Sequence, residues 1–157
     1  MLVPADVSPW VQEALVYEKE GKLTEAMPIY REILKRDPEN PVALNNAAFL
    51  MAENGQSLDE ALSMANKARQ KLPNNPDVAD TMGWIYIKKN LSDSAIQIFQ
   101  ELIAKNPERA TYHYHLGMAL FQKGDKPGAK KACENALARR PEKDEETRIR
   151  ELLAKCG

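Results

Sequence analysis

The chain has 157 residues, and its 22 Lys and Arg against 23 Asp and Glu leave a formal net charge of −1. This balance gives no overall attraction to nucleic acid or anionic lipid, and two cysteines are too few for a disulfide framework. Hydrophobic residues make up 43% of the chain and charged residues 29%, which is typical of a folded protein rather than a disordered one. No apolar run approaches the roughly 18–20 residues that cross a bilayer, so we predict no direct membrane insertion.

The first nine residues do not have the pattern of a signal peptide, because no basic start is followed by an apolar stretch. They therefore predict a cytoplasmic location. The alternative, for a chain excised from a longer protein, is a periplasmic location.

Four kinds of residue recur with one period along the chain. The spacing is 34 or 35 residues in every series, and a single extra residue between Gly55 and Ala61 accounts for the difference. A repeat of this length indicates stacked supersecondary units. The series are the prolines Pro38, Pro73, Pro107 and Pro141, the alanines Ala26, Ala61, Ala95 and Ala129, the turn residues Gly21, Gly55, Asn90 and Gly124, and the small residues Ala14, Ala48, Gly83 and Gly117.

The pattern of residues within each repeat predicts two helices joined by a turn. In the third repeat, residues from Ala79 to Tyr86 follow the i, i+3, i+4, i+7 spacing of one helix face, and this spacing returns from Ala95 to Ile103 after the break at Asn90. Each second helix should end before its proline, which disfavours a helical conformation in the preceding residue. We predict a single domain over 1–157, with repeats at about 7–40, 41–75, 76–109 and 110–143 and a closing helix at about 144–155.

Capping residues predict where several helices begin. Asn40 and Asn75 each precede a proline, which suits an N-cap followed by the first helical position, and Ser8 precedes Pro9 in the same way. Ser57 and Glu60 have the spacing of a capping box.

These features resemble the tetratricopeptide repeat (TPR), a 34-residue helix–turn–helix unit with small residues on both helices and a terminal proline. The third repeat, with Met82-Gly83-Trp84-Ile85-Tyr86 followed by Ala95 and Phe99, is a close match, and the resemblance covers about residues 7–141. It implies an all-α fold, a right-handed α-solenoid of antiparallel helix pairs whose first helices line a concave side. The third and fourth repeats also resemble those of bacterial envelope-associated and export-associated proteins.

The resemblance places a second stripe of first-helix residues in the concave groove. Aromatic and methionine side chains are favoured as binding anchors, and asparagine amides suit an extended peptide backbone. The residues that we assign to this largely apolar groove are Leu15, Asn45, Asn46, Phe49, Asp80, Thr81, Trp84, Ile87, Tyr114, His115, Met118 and Phe121.

We therefore predict a protein–protein interaction scaffold whose groove binds a peptide or a helix of a partner protein. Two alternatives stay open at this point. The same side chains can pack between neighbouring repeats. The groove or the edge of the first repeat can instead be covered by a second copy, as in a homodimer, or by an adjoining segment of a larger assembly.

Some TPR proteins hold the terminal carboxylate of a chaperone tail with lysine, asparagine and arginine. Only Asn46 matches that set here, since Asp77 and Thr81 occupy places where cations are expected. Asp77 and Asp80 would repel a carboxylate. We therefore predict that the chain does not bind such tails.

The sequence offers no catalytic or metal site. His113 and His115 lie two residues apart, about 200° around a helix, so they cannot share one ion. Cys133 falls on a core position, whereas Cys156 is expected to be exposed near the C-terminus. We predict that the protein is not an enzyme and uses no cofactor.

A basic cluster lies between residues 130 and 143. It has no aromatic residues among its lysines and arginines, and the chain as a whole carries no positive charge. Both features argue against nucleic-acid binding, so we predict no nucleic-acid partner.

Overall fold

A computed structural model of the chain describes residues 7–157, which form nine helices and no strand. The all-α class that the resemblance implies is therefore confirmed for these residues. None of these helices is both long enough and apolar enough to cross a bilayer. The helices are α1 (Ser8–Lys19), α2 (Leu23–Arg36), α3 (Pro41–Glu53), α4 (Leu58–Lys71), α5 (Pro76–Lys88), α6 (Ser92–Lys105), α7 (Ala110–Lys123), α8 (Lys126–Ala138) and α9 (Lys143–Lys155).

The turn inside each repeat is built the same way four times. Gly21, Gly55, Asn90 and Gly124 have left-handed φ angles of 74°, 64°, 60° and 94°. The amide after each of them donates to the carbonyl five residues earlier, as in Gln56 N to Met51 O at 3.1 Å and Leu91 N to Tyr86 O at 2.9 Å. This pattern is the Schellman motif, which satisfies the last carbonyls of a helix. The four turn residues predicted from the period are therefore confirmed.

The predicted side-chain caps are present at two asparagines and absent at two serines, although α4 does begin directly after Ser57 as predicted. Asn40 Oδ1 accepts from Ala43 N at 3.0 Å, and Asn75 Oδ1 accepts from Asp77 N at 2.9 Å. Ser8 lies inside α1, whose cap is Val7. Ser57 makes no side-chain capping bond, because its backbone is left-handed at φ 49°.

The chain divides into two compact units, one ending at Thr81 and the other beginning at Met82. The core of unit 1 contains the fully buried Tyr30 and Ile33 of α2 and the buried Leu50 of α3. Ala14 and Ala26, on facing helices, are also fully buried in it. Small side chains at these positions let the two backbones approach closely, as the sequence predicts. The single-domain organisation with its repeat boundaries stays a prediction.

Unit 2 packs its small residues against larger ones. Gly83 lies against the fully buried ring of Phe99, and Gly117 lies against the side chain of Cys133. Cys133 also belongs to a cluster with Ala136 and Ile149, through which α9 covers α8. Helix α9 thus covers apolar side chains of α8, as a closing helix does in a repeat array.

Cys156 is buried, so the prediction that it is exposed is wrong. It is 8% exposed, its backbone caps α9 by donating to Leu153 O, and its Sγ donates to Leu152 O at 3.3 Å. The helix does not fray before it, because Ile149, Leu152 and Leu153 pack against α8. Burial, with a smaller contribution from Cys156, raises the pKa of the Cys133 thiol to about 11.

Candidate functional site

Six of the predicted groove residues lie in unit 2. Ile87 is buried, and we call the other five, Trp84, Tyr114, His115, Met118 and Phe121, the unit-2 face. All five are half-buried. Helix α5 carries Trp84, and α7 carries the other four. Because Tyr114, Met118 and Phe121 follow the spacing i, i+4, i+7, they lie along one side of α7.

Aromatic contacts hold this face together around His115. The centroid of its ring lies 5.2 Å from that of Trp84, 5.3 Å from Phe99 and 5.7 Å from Tyr114, all with tilted planes. These separations fall in the range favoured by aromatic pairs. Burial raises the pKa of Tyr114. The result is a surface whose rings are fixed by one another but remain partly open to solvent.

Trp84 has a polar group that its surroundings leave unused. Its indole Nε1–H is buried and has no hydrogen-bond acceptor within residues 7–157. The Lys88 ammonium lies 4.9 Å from the centroid of the same ring, a cation–π distance. A buried donor without an acceptor is costly, so this site favours a ligand oxygen that accepts from it.

Gln122 fixes α7 against the end of α5. Its Nε2 donates to Ile87 O at 2.8 Å and to Asn90 Oδ1 at 2.9 Å, while its Oε1 accepts from Ser92 Oγ at 2.7 Å. One amide therefore holds the turn between α5 and α6. This contact links the two helices that carry the unit-2 face.

The predicted groove residues of the first two repeats lie in unit 1. We call these four residues, Leu15, Asn45, Asn46 and Phe49, the unit-1 face. Leu15 is 36% exposed, and Phe49 is half-buried against the unit-1 core. Asn45 Nδ2 donates to Asn46 Oδ1 at 3.0 Å. The two amides therefore bind each other and are not both open to a ligand.

The asparagine pair continues into a polar chain across three helices. Asn46 Nδ2 donates to the hydroxyl of the fully buried Tyr30 at 2.9 Å. Burial raises the pKa of Glu18 in α1, and hydrogen bonding with the Tyr30 hydroxyl lowers it by less. Burial likewise raises the pKa of Tyr30, so its hydroxyl stays neutral. The interaction of Glu18 with Tyr30 is visible only in three dimensions.

The raised pKa of Glu18 predicts a pH-dependent effect of Glu18→Gln. A carboxyl that holds its proton more tightly when folded contributes stability below its unfolded pKa, and this contribution is lost as pH rises through the folded pKa. Glutamine resembles the protonated form. In calorimetry, Glu18→Gln should therefore match the wild-type melting temperature near pH 4 and exceed it at pH 7. Equal or lower melting temperatures of the variant at pH 7 would contradict this, and the exposed Glu20→Gln is the control.

Three predicted groove residues are too buried to offer their side chains to a partner. Thr81 is 5% exposed, Ile87 is 6% exposed and Asn45 is 9% exposed. We therefore leave Thr81 and Ile87 out of the proposed contact set. Asp80 is half-buried, and its assignment to the site stays a prediction.

Sequence reasoning missed Lys88, Phe99 and Gln122. Lys88 follows Trp84 by one helical turn, so the i, i+4 spacing was an available signal. Phe99 was assigned to the core, where it is fully buried, but it also supports His115. Gln122 gives no sequence signal, because its three partners lie 30 or more residues away.

His113 and Arg139, which lie outside the predicted groove, make defined contacts with the backbone. His113 is buried, and its Nε2 lies 2.7 Å from Pro107 O. Arg139 of the basic cluster donates to the same carbonyl and to Asn135 O. Within residues 7–157, no group of three or more His, Cys, Asp or Glu side chains is arranged to hold a metal ion.

Sequence comparisons agree with this repeat architecture. Two family models, both described as Tetratricopeptide repeat, match residues 18–85 and 81–144. TPR repeat-containing protein PA4667 of Pseudomonas aeruginosa is 25% identical over 114 residues, a match that covers 73% of this chain and 19% of that protein. The chain thus spans about a fifth of this relative's length.

The fold is similar to that of solved TPR structures. TTC0263, a thermophilic TPR protein of Thermus thermophilus, gives a TM-score of 0.80 at 18% identity, and the match covers 96% of this chain and 80% of that one. The hetero-tetramer Cut9–Hcn1 of APC/C gives a TM-score of 0.82 at 15% identity, and the match covers 96% of this chain and 30% of that one. MamA 41-end from Desulfovibrio magneticus RS-1 gives a TM-score of 0.69 at 18% identity, and the match covers 98% of this chain and 95% of that one.

Identities this low establish the shared fold only, and the family assignment rests on the sequence matches. TPR proteins are typically non-enzymatic scaffolds for protein interaction. The chain belongs to the tetratricopeptide-repeat family.

Proposed function

We propose that the unit-2 face binds a peptide or helical segment of a partner protein, with Trp84 as its principal anchor. The observation that carries this proposal is the half-buried indole whose Nε1–H has no acceptor within the described residues. A carbonyl oxygen of the partner accepts this bond, while its apolar side chains lie on Met118 and Phe121. The proposal assigns no catalysed reaction to the chain.

The composition of the face supports this proposal. Tryptophan, tyrosine and methionine are enriched at the centres of protein interfaces, where a few such anchors provide most of the binding energy. The rings around His115 are already packed, so little conformational entropy is lost when a partner binds. Lys88 beside the indole adds a cation that favours the electronegative end of a partner carbonyl.

We expect Trp84→Ala to weaken partner capture by about 30-fold, since truncation of an anchor residue costs about 2 kcal/mol. The immobilised chain would be exposed to native extract, and bound proteins quantified by mass spectrometry. Trp10→Ala is the matched control, because the Trp10 ring packs against Arg36 in unit 1, 4.1 Å from its guanidinium. Equal capture by folded Trp84→Ala, Phe121→Ala and wild-type chains would contradict the proposal.

The alternative is that a second copy of the chain covers this face. Light scattering after size-exclusion chromatography distinguishes a second copy from a foreign partner. A monomer at all concentrations agrees with a foreign partner, whereas a dimer that Trp84→Ala dissociates would mean that a second copy covers the face.

A further inference from the structure

We propose that a cavity of unit 1, between α2, α3 and α4, binds a segment of a partner protein that carries an acidic side chain beside apolar ones. The acidic side chain would pair with Arg31, and the apolar ones would lie on three methionines. The cavity belongs to a different unit from the unit-2 face, and the inference does not depend on the proposed function.

The cavity opens between the second helices of the first two repeats. Helix α3 packs against both α2 and α4, and the space that these three helices enclose has a volume of about 330 Å³. Its α2 wall extends from Met27 to Lys35, which corresponds to about 12 Å of helix. Ligand-binding clefts have volumes of about 300–1,000 Å³. The cavity is therefore large enough for a few side chains of a partner segment.

This cavity is not the groove that was predicted along the first helices. The side chains of α3 that line it are Ala47, Met51 and Asn54. Met51 follows Phe49 of the unit-1 face by two residues, so the two side chains lie about 200° apart around the helix. The same spacing separates Ala47 from Asn45. The cavity and the unit-1 face are therefore different surfaces of α3.

Three of the chain's six methionines line the cavity. Met27 belongs to α2, Met51 to α3 and Met64 to α4, and all three are half-buried. Met27 and Met64 also pack against the unit-1 core. Methionine is unbranched and polarizable, so it adapts to apolar side chains of different shapes. This lining suits apolar side chains such as leucine in the partner segment.

The turn beside the cavity is one residue longer than the other three turns inside repeats. Helix α4 begins three residues after Gly55, whereas the other three second helices begin two residues after their left-handed turn residue. A left-handed backbone at Ser57 accommodates the extra residue, and both Gln56 and Ser57 line the cavity. Their amide and hydroxyl groups suit the peptide groups of a polypeptide, which favours a protein segment as the ligand.

The charge that the cavity leaves unpaired is a cation. Arg31 lies in the middle of α2, is exposed and forms no ion pair within residues 7–157. Lys35 also lines the cavity, but it pairs with Glu32 at 3.4 Å. Glu60, on the α4 wall, lies in the first turn of that helix, where the helix dipole stabilises a carboxylate. A guanidinium binds a carboxylate through two parallel hydrogen bonds, so Arg31 favours an acidic side chain.

The test is an NMR titration of the full chain with ¹³C in its methionine methyl groups. The probes are two blocked peptides, Ac-Leu-Glu-Leu-Leu-NH2 and Ac-Leu-Gln-Leu-Leu-NH2. We expect both to shift the methyl signals of Met27, Met51 and Met64, and the glutamate peptide to bind about tenfold more tightly. The signal of the buried Met82 in unit 2 should stay in place.

Two variants of Arg31 test the role of its charge. Arg31→Gln should reduce the preference for the glutamate peptide to less than about twofold, and Arg31→Glu should reverse it in favour of Ac-Leu-Lys-Leu-Leu-NH2. The matched control is Lys67→Gln, which removes a positive charge from an exposed position of α4 outside the cavity and should leave the preference unchanged. Arg31 and Lys67 are both exposed, so these variants should fold.

Equal affinities of the glutamate and glutamine peptides for the wild-type chain would overturn the inference, as would methyl shifts confined to Met82 and Met118 of unit 2. It would also be overturned if octanoate bound at the three methionines while neither peptide did, because the ligand would then be a fatty acid. Trp84→Ala, which tests the unit-2 face, should keep the glutamate preference, so this inference and the proposed function can fail separately.

Discussion

Replacing Gly83 by alanine should lower the free energy of unfolding by about 2 kcal/mol, because the new methyl group would overlap a buried ring. A Cβ at this position would lie 2.5 Å from Phe99 Cζ, and the Phe99 side chain is fully buried. Alanine gains about 1 kcal/mol over glycine in a helix, which offsets only part of the overlap. The measurement is urea denaturation followed by circular dichroism and tryptophan fluorescence.

Gly117→Ala is the matched control, since Gly117 occupies the same position one repeat later. Its Cβ would meet Cys133 Sγ at 3.2 Å, a contact that small movements relieve. We expect a change within about 1 kcal/mol, because the gain in helix propensity balances the tighter contact. A smaller side chain at residue 99 should rescue Gly83→Ala, so Phe99→Leu and Gly83→Ala should be non-additive when combined. Strict additivity, or equal effects of the two alanines, would contradict this packing explanation.

Ile149→Ala should destabilise the chain by about 3 kcal/mol, within the range found for truncating fully buried aliphatic residues. Ile149 is fully buried against Cys133 and Ala136 of α8, with Leu152 and Leu153 beside it. The remaining contacts of α9 are half-buried, so this side chain provides the centre of its attachment. The same urea experiment measures the effect.

The control on the same helix is Thr147→Ala. Thr147 is exposed and its Oγ1 donates back to Lys143 O, so its loss should change stability by less than about 0.5 kcal/mol. If Ile149→Ala changed stability as little as Thr147→Ala, α9 would not shield the apolar edge of α8.

The helices and turns were predictable because each repeat ends its helices with the same kinds of residue at the same positions. Every first helix is followed by a left-handed residue, and the first three second helices are followed by a proline. Both features reflect backbone sterics, and the residue types at these positions indicate them directly. Both Asn90 and Ser57 have a left-handed backbone, but the sequence indicated this conformation only at Asn90. The Ser57 hydroxyl suggested a cap, but the backbone there is left-handed and the side chain makes no capping hydrogen bond.

The candidate site was predictable as a stripe but not as a set of contacts. Helical spacing placed Trp84 and Met118 on first-helix faces, and both are half-buried there. It could not distinguish Ile87, which has the same periodicity and is buried. The unpaired Trp84 Nε1 and Glu18 Oε1 depend on which polar groups other helices bring close, and sequence spacing carries no information about that.

The most direct test of the central claim is site-specific photo-crosslinking from the unit-2 face. A benzophenone amino acid would replace Met118 on this face and, as the control, the exposed Lys130 of α8. We predict that the probe at position 118 crosslinks a foreign protein in native extract, and that Trp84→Ala abolishes this product. Equal crosslinking from both positions, or crosslinks at position 118 only to a second copy of the chain, would contradict the account.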